Sequence, residues 1–520
     1  MKTPMVEHTE HRKGWLAWAG AITAGATFAA SYLRTFVLPH TPILFWGDQI
    51  LYATNGMRLL SGQSPYSGYF EFLTPGTDLV YALLFRSFGI WLWIPNLLMD
   101  ILAAAAVLLT TKSSAKVLRH SSVLLPAIFA LGFGFYGSMD ATHHWISTVI
   151  GLAAMLTLLH GTKSRHVALA GALCGLMASF TQSKGVTVTL GFLVYVVWSS
   201  RPKTDSAALS WRRGLLLCGS ALTSFLLING TYMVRLGLVE WCRWIIIFPI
   251  RYYPTMPGQT LRSPIDDFEN HAGLLKWFCG PFLYVAIPLT YVAFLLIFRR
   301  QRHAEPDEPW DKLLLITITG VAMFAAVSLN LSIMRASTVC LPALIVLTWL
   351  LGRALRGVIW WKTAAAALSL AFAVYMGLSV QRMHWNYLDL PAGRAAILEP
   401  GKYDLYRWMT VHTHPGQAFL GIAPLSLPLR LRCPSPIQAP GPWEYYRPEH
   451  ITRSVAALEA NQIPLIVLRP YENFQKTPGF ERDNITPFQE YVDQHYRRIK
   501  NFSTGDEAWV RIVKKRTIEP

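Results

Sequence analysis

The chain has 520 residues, 52% of them hydrophobic and 15% charged, with a formal net charge of +17 at pH 7. Soluble globular proteins carry about 25% charged residues, so a single soluble domain is excluded. A nucleic-acid-binding role is excluded as well, because Lys and Arg collect at the ends of apolar runs, where they report membrane topology rather than a groove for a phosphate backbone.

A helix needs roughly 20 apolar residues to cross the hydrocarbon core. The polar opening MKTPMVEHTEHRK leads into 15–37, which reads as a first membrane helix with no cleavage site. Further apolar stretches follow at 90–110, 121–137, 143–159, 166–180, 185–198, 214–234, 273–298, 313–329, 336–351 and 358–380, which predicts eleven spans. Basic residues gather at 2–13, 112–119, 163–165, 201–213, 299–312 and 353–356. The short connections on the other side hold only Lys184 and Arg335. The positive-inside rule then puts the N-terminus in the cytoplasm and the C-terminus outside. Residues 381–520 have an ordinary, soluble composition. They read as a small α/β extracytoplasmic domain, with helices over Tyr403–Val411 and Ile451–Asn461 and strands over Ala418–Ile422, Pro464–Leu468 and Trp509–Val513. The predicted organisation is a mainly α, polytopic helix bundle over 1–380 and this second domain over 381–520.

Two outer segments, 40–89 and 235–272, are too long to be simple connectors, and loops of that length usually carry function. In the first, Asp48 precedes an apolar stripe at helical spacing (Ile50, Ala53, Met57 and Leu60) and Gly62 follows as a stop. After the turn-rich SGQSPYSGY, Thr74-Pro75 reads as a cap with proline at the first helical position of a helix that ends at Gly89. Two amphipathic helices lying along the outer membrane surface fit this pattern.

Polar groups in such a chain ask for a reason. Asp48 is either a helix N-cap or a carboxylate that accepts a proton from a hydroxyl. Asp140, His143 and His144 stand together in GSMDATHHW, and a helix would place Asp140 and His144 on one face. They read either as a headgroup-level polar loop or as an acceptor or metal cluster that Asp48 would complete. A divalent metal held by Asp48, Asp140 and His144 is the one cofactor these residues admit, and none is required. Lys184, Arg335, Arg251 and Tyr252 lie on the outer side; the three cations there run against the topological bias. They either snorkel to headgroups or clamp a phosphate carried on a lipid. The six cysteines form no CxxC pair, and pairing of Cys242 with Cys433 on the outer face is conceivable.

The first loop resembles that of the GT-C superfamily of membrane glycosyltransferases, which includes the protein O-mannosyltransferases and the aminoarabinose transferases. The shared pattern is Asp48 just after the first span, then Leu59-Leu60-Ser61-Gly62-Gln63-Ser64-Pro65-Tyr66, then Thr74-Pro75-Gly76-Thr77. The resemblance implies a GT-C fold, with about eleven spans and an outer C-terminal domain. It implies a sugar donor held on a polyprenyl phosphate and transferred, with inversion, to a glycan, lipid or protein acceptor at the outer face of the plasma (inner) membrane, in service of the cell envelope. It further implies Asp48 as catalytic base, with Lys184 and Arg335 at places comparable to the family's lipid-phosphate ligands. The chain departs from the O-mannosyltransferases in having Gln49 where they have a second acid, and it lacks the WWD-type signature of oligosaccharyltransferases. The competing reading is a lipid or solute transporter or flippase, which would place polar groups near the bilayer midplane and show paired halves.

Overall fold

The structure is a computed structural model that describes residues 4–199, 207–251, 280, 282–328, 331–358, 360–437, 448–469 and 485–512. It divides into two compact units. The first draws on Met1–Thr35, Leu97–Thr231 and Leu261–Arg382, and the second on Phe36–Asn96, Tyr232–Thr260 and Met383–Pro520. The first long loop and the described part of the second, residues 235–251, group with the C-terminal region.

Among the described residues, the regular elements of the first unit are helices. Helix is present at each of the eleven stretches expected to span. Five helices among the described residues are long and apolar enough to cross a membrane: Trp93–Ser114, Ser210–Leu236, Phe282–Gln301, Trp310–Ser328 and Trp361–Gln381. A sixth span results if Ile333–Val339 and Leu341–Ala354 count as one. That pair bends by 67°, at Cys340 and Pro342, where the proline ring cannot continue the preceding helix. The count of eleven is therefore not reproduced, because several apolar helices, such as His143–Leu159 and Ser164–Ala178, are too short. Apolar side chains on the outward faces, among them Leu215, Leu222, Leu227, Leu289, Leu296, Leu368 and Val374, are exposed. Such surfaces are stable against lipid and not against water, and the chain is a multi-pass membrane protein.

Small residues set the closest helix approaches. Gly171 and Gly175, four apart on Ser164–Ala178, lie against the backbone of Ala207–Leu236, where an added Cβ would stand 2.3 Å from the Leu217 carbonyl oxygen and 2.0 Å from that of Ala221. In lipid, where apolar burial gives no net drive, this backbone contact is a main source of association.

The second unit holds a four-stranded sheet in the order Leu420–Gly421, Leu465–Leu468, Glu507–Arg511, Tyr496–Asn501, with the first pair parallel and the others antiparallel. Helices Pro448–Ala460 and Thr486–His495 supply Ile451, Leu458, Phe488 and Val492 to a core shared with Leu420 and Ile466. The strands and helices expected here are found within two or three residues of their predicted ends at most positions. The hairpin Asn386–Leu390/Gly393–Ile397 and the Thr486–His495 helix were not foreseen. Cys242 and Cys433 are both free thiols, so the conceivable disulfide does not form.

Candidate functional site

In the second unit the first loop forms two helices, Asp48–Leu60 and Gly76–Phe88, packed on each other. Gly56 marks the crossing, since a Cβ there would stand 2.5 Å from that of Tyr81. The N-cap of the first helix is Gly47, with φ 131°, a region that favours glycine. Asp48 is therefore the first helical residue and not the cap, and its side chain is half-buried. Pro75 is the N-cap of the second helix, which therefore starts one residue later than expected.

The loop returns to this helix pair with two carboxyls that sequence reasoning passed over. Glu71 is buried, with Oε1 accepting from the backbone N–H of Phe72 and Leu73 at 2.9 Å each and Oε2 from the Asn55 amide at 3.2 Å. Asp78 is buried too, and the Tyr69 hydroxyl donates to its Oδ2 at 2.7 Å. Burial, and next the negative charge of Asp48, raise the Glu71 carboxyl to about 7 against the pull of its N–H donors. Burial and the neighbouring Glu71 hold Asp78 well above the usual carboxylate range. Asp48 thus stands in the field of a carboxyl whose charge changes near neutral pH. The available signal was Glu71 itself, a lone acid between Phe70 and Phe72 in an otherwise aromatic, turn-rich stretch.

Arg58 ties this helix pair to the C-terminal region. It is buried, donates to Gln63 Oε1 at 2.7 Å and to the Ser435 carbonyl, and lies over the Tyr69 ring at 5.0 Å. Gln63 donates to the Cys433 carbonyl at 2.8 Å. Beside it, Phe70 packs edge-on against Trp244, Phe248 and His450, and Trp244 stacks on His450 with ring centroids 5.1 Å apart. Three segments far apart in sequence meet at these rings. Arg251 is exposed at the end of the short helix Phe248–Arg251, and Tyr252 lies outside the described residues.

The first unit gathers the other predicted residues. Lys184, on the first turn of Gln182–Ser199, is completely buried. Its Nζ donates to the His144 carbonyl at 2.9 Å, Thr148 Oγ1 at 3.1 Å and Thr338 Oγ1 at 3.4 Å. Thr148 donates in turn to the Thr338 carbonyl at 2.8 Å, and Thr338 donates to the Arg335 carbonyl at 2.8 Å. Three loops separated in sequence, those of GSMDATHHW, TQSKG and NLSIMRAS, therefore converge. The three oxygens around Nζ offset the cost of burying so polar a group. His143 Nδ1 pairs with Thr181 Oγ1 at 2.9 Å, and the His144 ring lies against it with centroids 3.9 Å apart. The His143–Leu159 helix has Thr142 as its extended N-cap, so Asp140 falls outside it and shares no helical face with His144. Asp140 instead accepts from Ser138, which the Trp145 indole also reaches at 3.1 Å. Among the described residues no group of three or more His, Cys, Asp or Glu side chains is placed to hold a metal ion.

No protein-family profile matches the sequence, and neither does any curated protein. In fold, the chain is similar to ArnT, an aminoarabinose transferase from Cupriavidus metallidurans solved bound to undecaprenyl phosphate. The TM-score is 0.60 at 12% identity, with 96% of this chain and 98% of that one covered. It is also similar to the archaeal oligosaccharyltransferase AglB from Archaeoglobus fulgidus, solved with an inhibitory peptide and a dolichol-phosphate. There the TM-score is 0.52 at 13% identity, over 98% of this chain and 75% of that one. Both are members of the GT-C superfamily, and this chain has the GT-C fold.

Proposed function

We propose that this protein is a membrane glycosyltransferase that moves a sugar from a polyprenyl-phosphate-linked donor to a glycan, lipid or protein acceptor at the outer face of the membrane. The observation that carries the reading is the full-length fold likeness to ArnT, a transferase solved with undecaprenyl phosphate bound, joined to a half-buried carboxylate at the first turn of the first-loop helix. AglB, solved with a dolichol-phosphate, supports the same class of lipid carrier. The basic segments of the sequence favour a cytoplasmic N-terminus and an extracytoplasmic C-terminal region, in a plasma (inner) membrane.

In this reading the acceptor hydroxyl oxygen bonds to the anomeric carbon of the donor while the bond from that carbon to the phosphate oxygen breaks. Its electron pair leaves with the polyprenyl phosphate, and Asp48 takes the hydroxyl proton. A phosphate leaving group needs no general acid. Displacement from the opposite side inverts the anomeric configuration. Arg335 and Arg251, with Tyr252, are the phosphate ligands, and fixed positive charge there stabilises the negative charge as it develops. Lys184, whose Nζ donates to His144, Thr148 and Thr338, supports the phosphate site as a strut that holds the Thr338 turn. Asp140, His143 and His144 serve as acceptor-side polar groups, and no step is assigned to a metal.

The test is transfer from a radiolabelled undecaprenyl-phosphate sugar by purified protein in nanodiscs. Asp48→Asn should cut turnover by about 10²- to 10⁴-fold, the range for a lost general base, with the melting temperature unchanged. Near-normal turnover in the folded variant removes the base role.

A further inference from the structure

We propose that the C-terminal part of the second unit carries a saccharide-binding subsite, in the cavity between the Pro400–His412 helix and the turn after Tyr496–Asn501. The inference rests on the transferase reading only for the role of that saccharide as acceptor; the binding itself does not depend on it. The cavity holds about 560 Å³, within the range of small-ligand sites. Its helical wall presents Asp404, Arg407, Trp408 and His412, which recur at the three- and four-residue spacing of one helix face. Asn501 and Ser503 face them from the turn.

The chemistry is that of a sugar site. The His412 ring stacks on Trp408 with centroids 3.8 Å apart and planes 15° from parallel, and Phe502 braces Trp408 edge-on at 5.5 Å. His412 Nδ1 meets the Trp408 carbonyl at 2.7 Å, which fixes the ring in that pose. A pyranose offers an apolar C–H face to such a surface and a rim of hydroxyls that both donate and accept. Carboxylate, guanidinium, amide and hydroxyl surround the rings here, and among the described residues the side chains of Asp404, Arg407 and Lys500 make no internal ion pair or hydrogen bond.

The turn is preorganised. Phe502 N–H donates to the Asp506 carbonyl at 2.9 Å, and the fully buried Asp506 carboxylate pairs with Arg469 at 3.2 Å. A polyanion is disfavoured because Asp404 stands among the cations, and addition of a peptide strand is disfavoured because the edge strand carries Arg497, Arg498 and Lys500.

The test is biolayer interferometry of the full-length protein in nanodiscs against immobilised maltotetraose, mannotetraose and chitotetraose. The wild type should be retained by at least one of them. Trp408→Ala and the exposed Arg407→Ala should each weaken that binding at least about tenfold, as expected for a lost stacking or charged hydrogen-bond contact. If Trp408→Ala fails to fold, Arg407→Ala decides alone. Asp48→Asn should bind like the wild type. Retention by none of the three glycans, or unchanged binding in the folded variants, overturns the proposal. Normal transfer by Asp48→Asn would overturn the transferase mechanism and leave these binding results standing.

Discussion

The Lys184 ammonium donates to the main-chain carbonyl of His144 at 2.9 Å, with no part of the lysine exposed. That bond joins the start of His143–Leu159 to the start of Gln182–Ser199, and through Thr338 it reaches the short helix that carries Arg335. In the fold, Lys184 sits at a polar junction inside apolar helices.

The junction predicts a structural phenotype. Lys184→Ala removes three buried hydrogen bonds to one side chain, at about 1–3 kcal/mol in total, while the His144 carbonyl keeps the Ser147 hydroxyl and both threonines keep their own acceptors. The variant should melt well below the wild type in nanodiscs and lose affinity for undecaprenyl phosphate along with stability. Arg335→Ala, on a half-buried residue, should lose that affinity without the melting shift. If Lys184→Ala keeps its melting temperature and loses only lipid-phosphate binding, Lys184 is a direct ligand.

Glu71 predicts the pH dependence of the second unit. Its carboxyl is raised to about 7 in the folded protein, so the native state keeps a proton that the unfolded chain sheds near its ordinary value of about 4.3. Stability from this group is full below that ordinary value and is lost as pH rises through 7. Glu71→Gln should flatten the melting temperature against pH between 5 and 8 and make the protein more stable than wild type at pH 8. A melting curve that responds to pH as before would place the titration elsewhere.

The backbone contact at Gly175 predicts intolerance to any side chain. A Cβ would lie 2.0 Å from the Ala221 carbonyl oxygen, and neither helix backbone can retreat without opening the packing. Gly175→Val should sharply reduce the yield of monodisperse protein on size-exclusion chromatography. Gly219→Ala, on the partner helix but with open space around it, should have no such effect.

Trp244 predicts the coherence of the second unit. It is buried between Phe70 and His450, and truncation of a core Trp costs about 3–5 kcal/mol. Trp244→Ala should make the C-terminal region a faster target for limited proteolysis. Cysteine reactivity is a second readout, since the buried Cys433 should become accessible to maleimide.

Sequence alone determined what depends on local periodicity and composition. The apolar stretches became helices because a chain in lipid must satisfy its own backbone. The first loop became two helices because its apolar spacing and its Gly and Pro punctuation are local signals. The loop pattern around Asp48 also sufficed to indicate the GT-C fold. Span count was less legible, since helices of 15 to 17 residues are apolar without being long enough to cross alone.

Only the tertiary structure decided which polar residues meet. Glu71 is raised by burial and by the charge of Asp48, and Asp78 by burial and by Glu71, and burial is not written in the seven-residue spacing between them. Lys184 is a pin because three carbonyl or hydroxyl oxygens from two other helical segments surround it. The first long loop and residues 235–251 joined the C-terminal region because Phe70, Trp244, Phe248 and His450 bury one another. Aromatic burial is non-directional and pairs residues hundreds of positions apart, which no local pattern specifies.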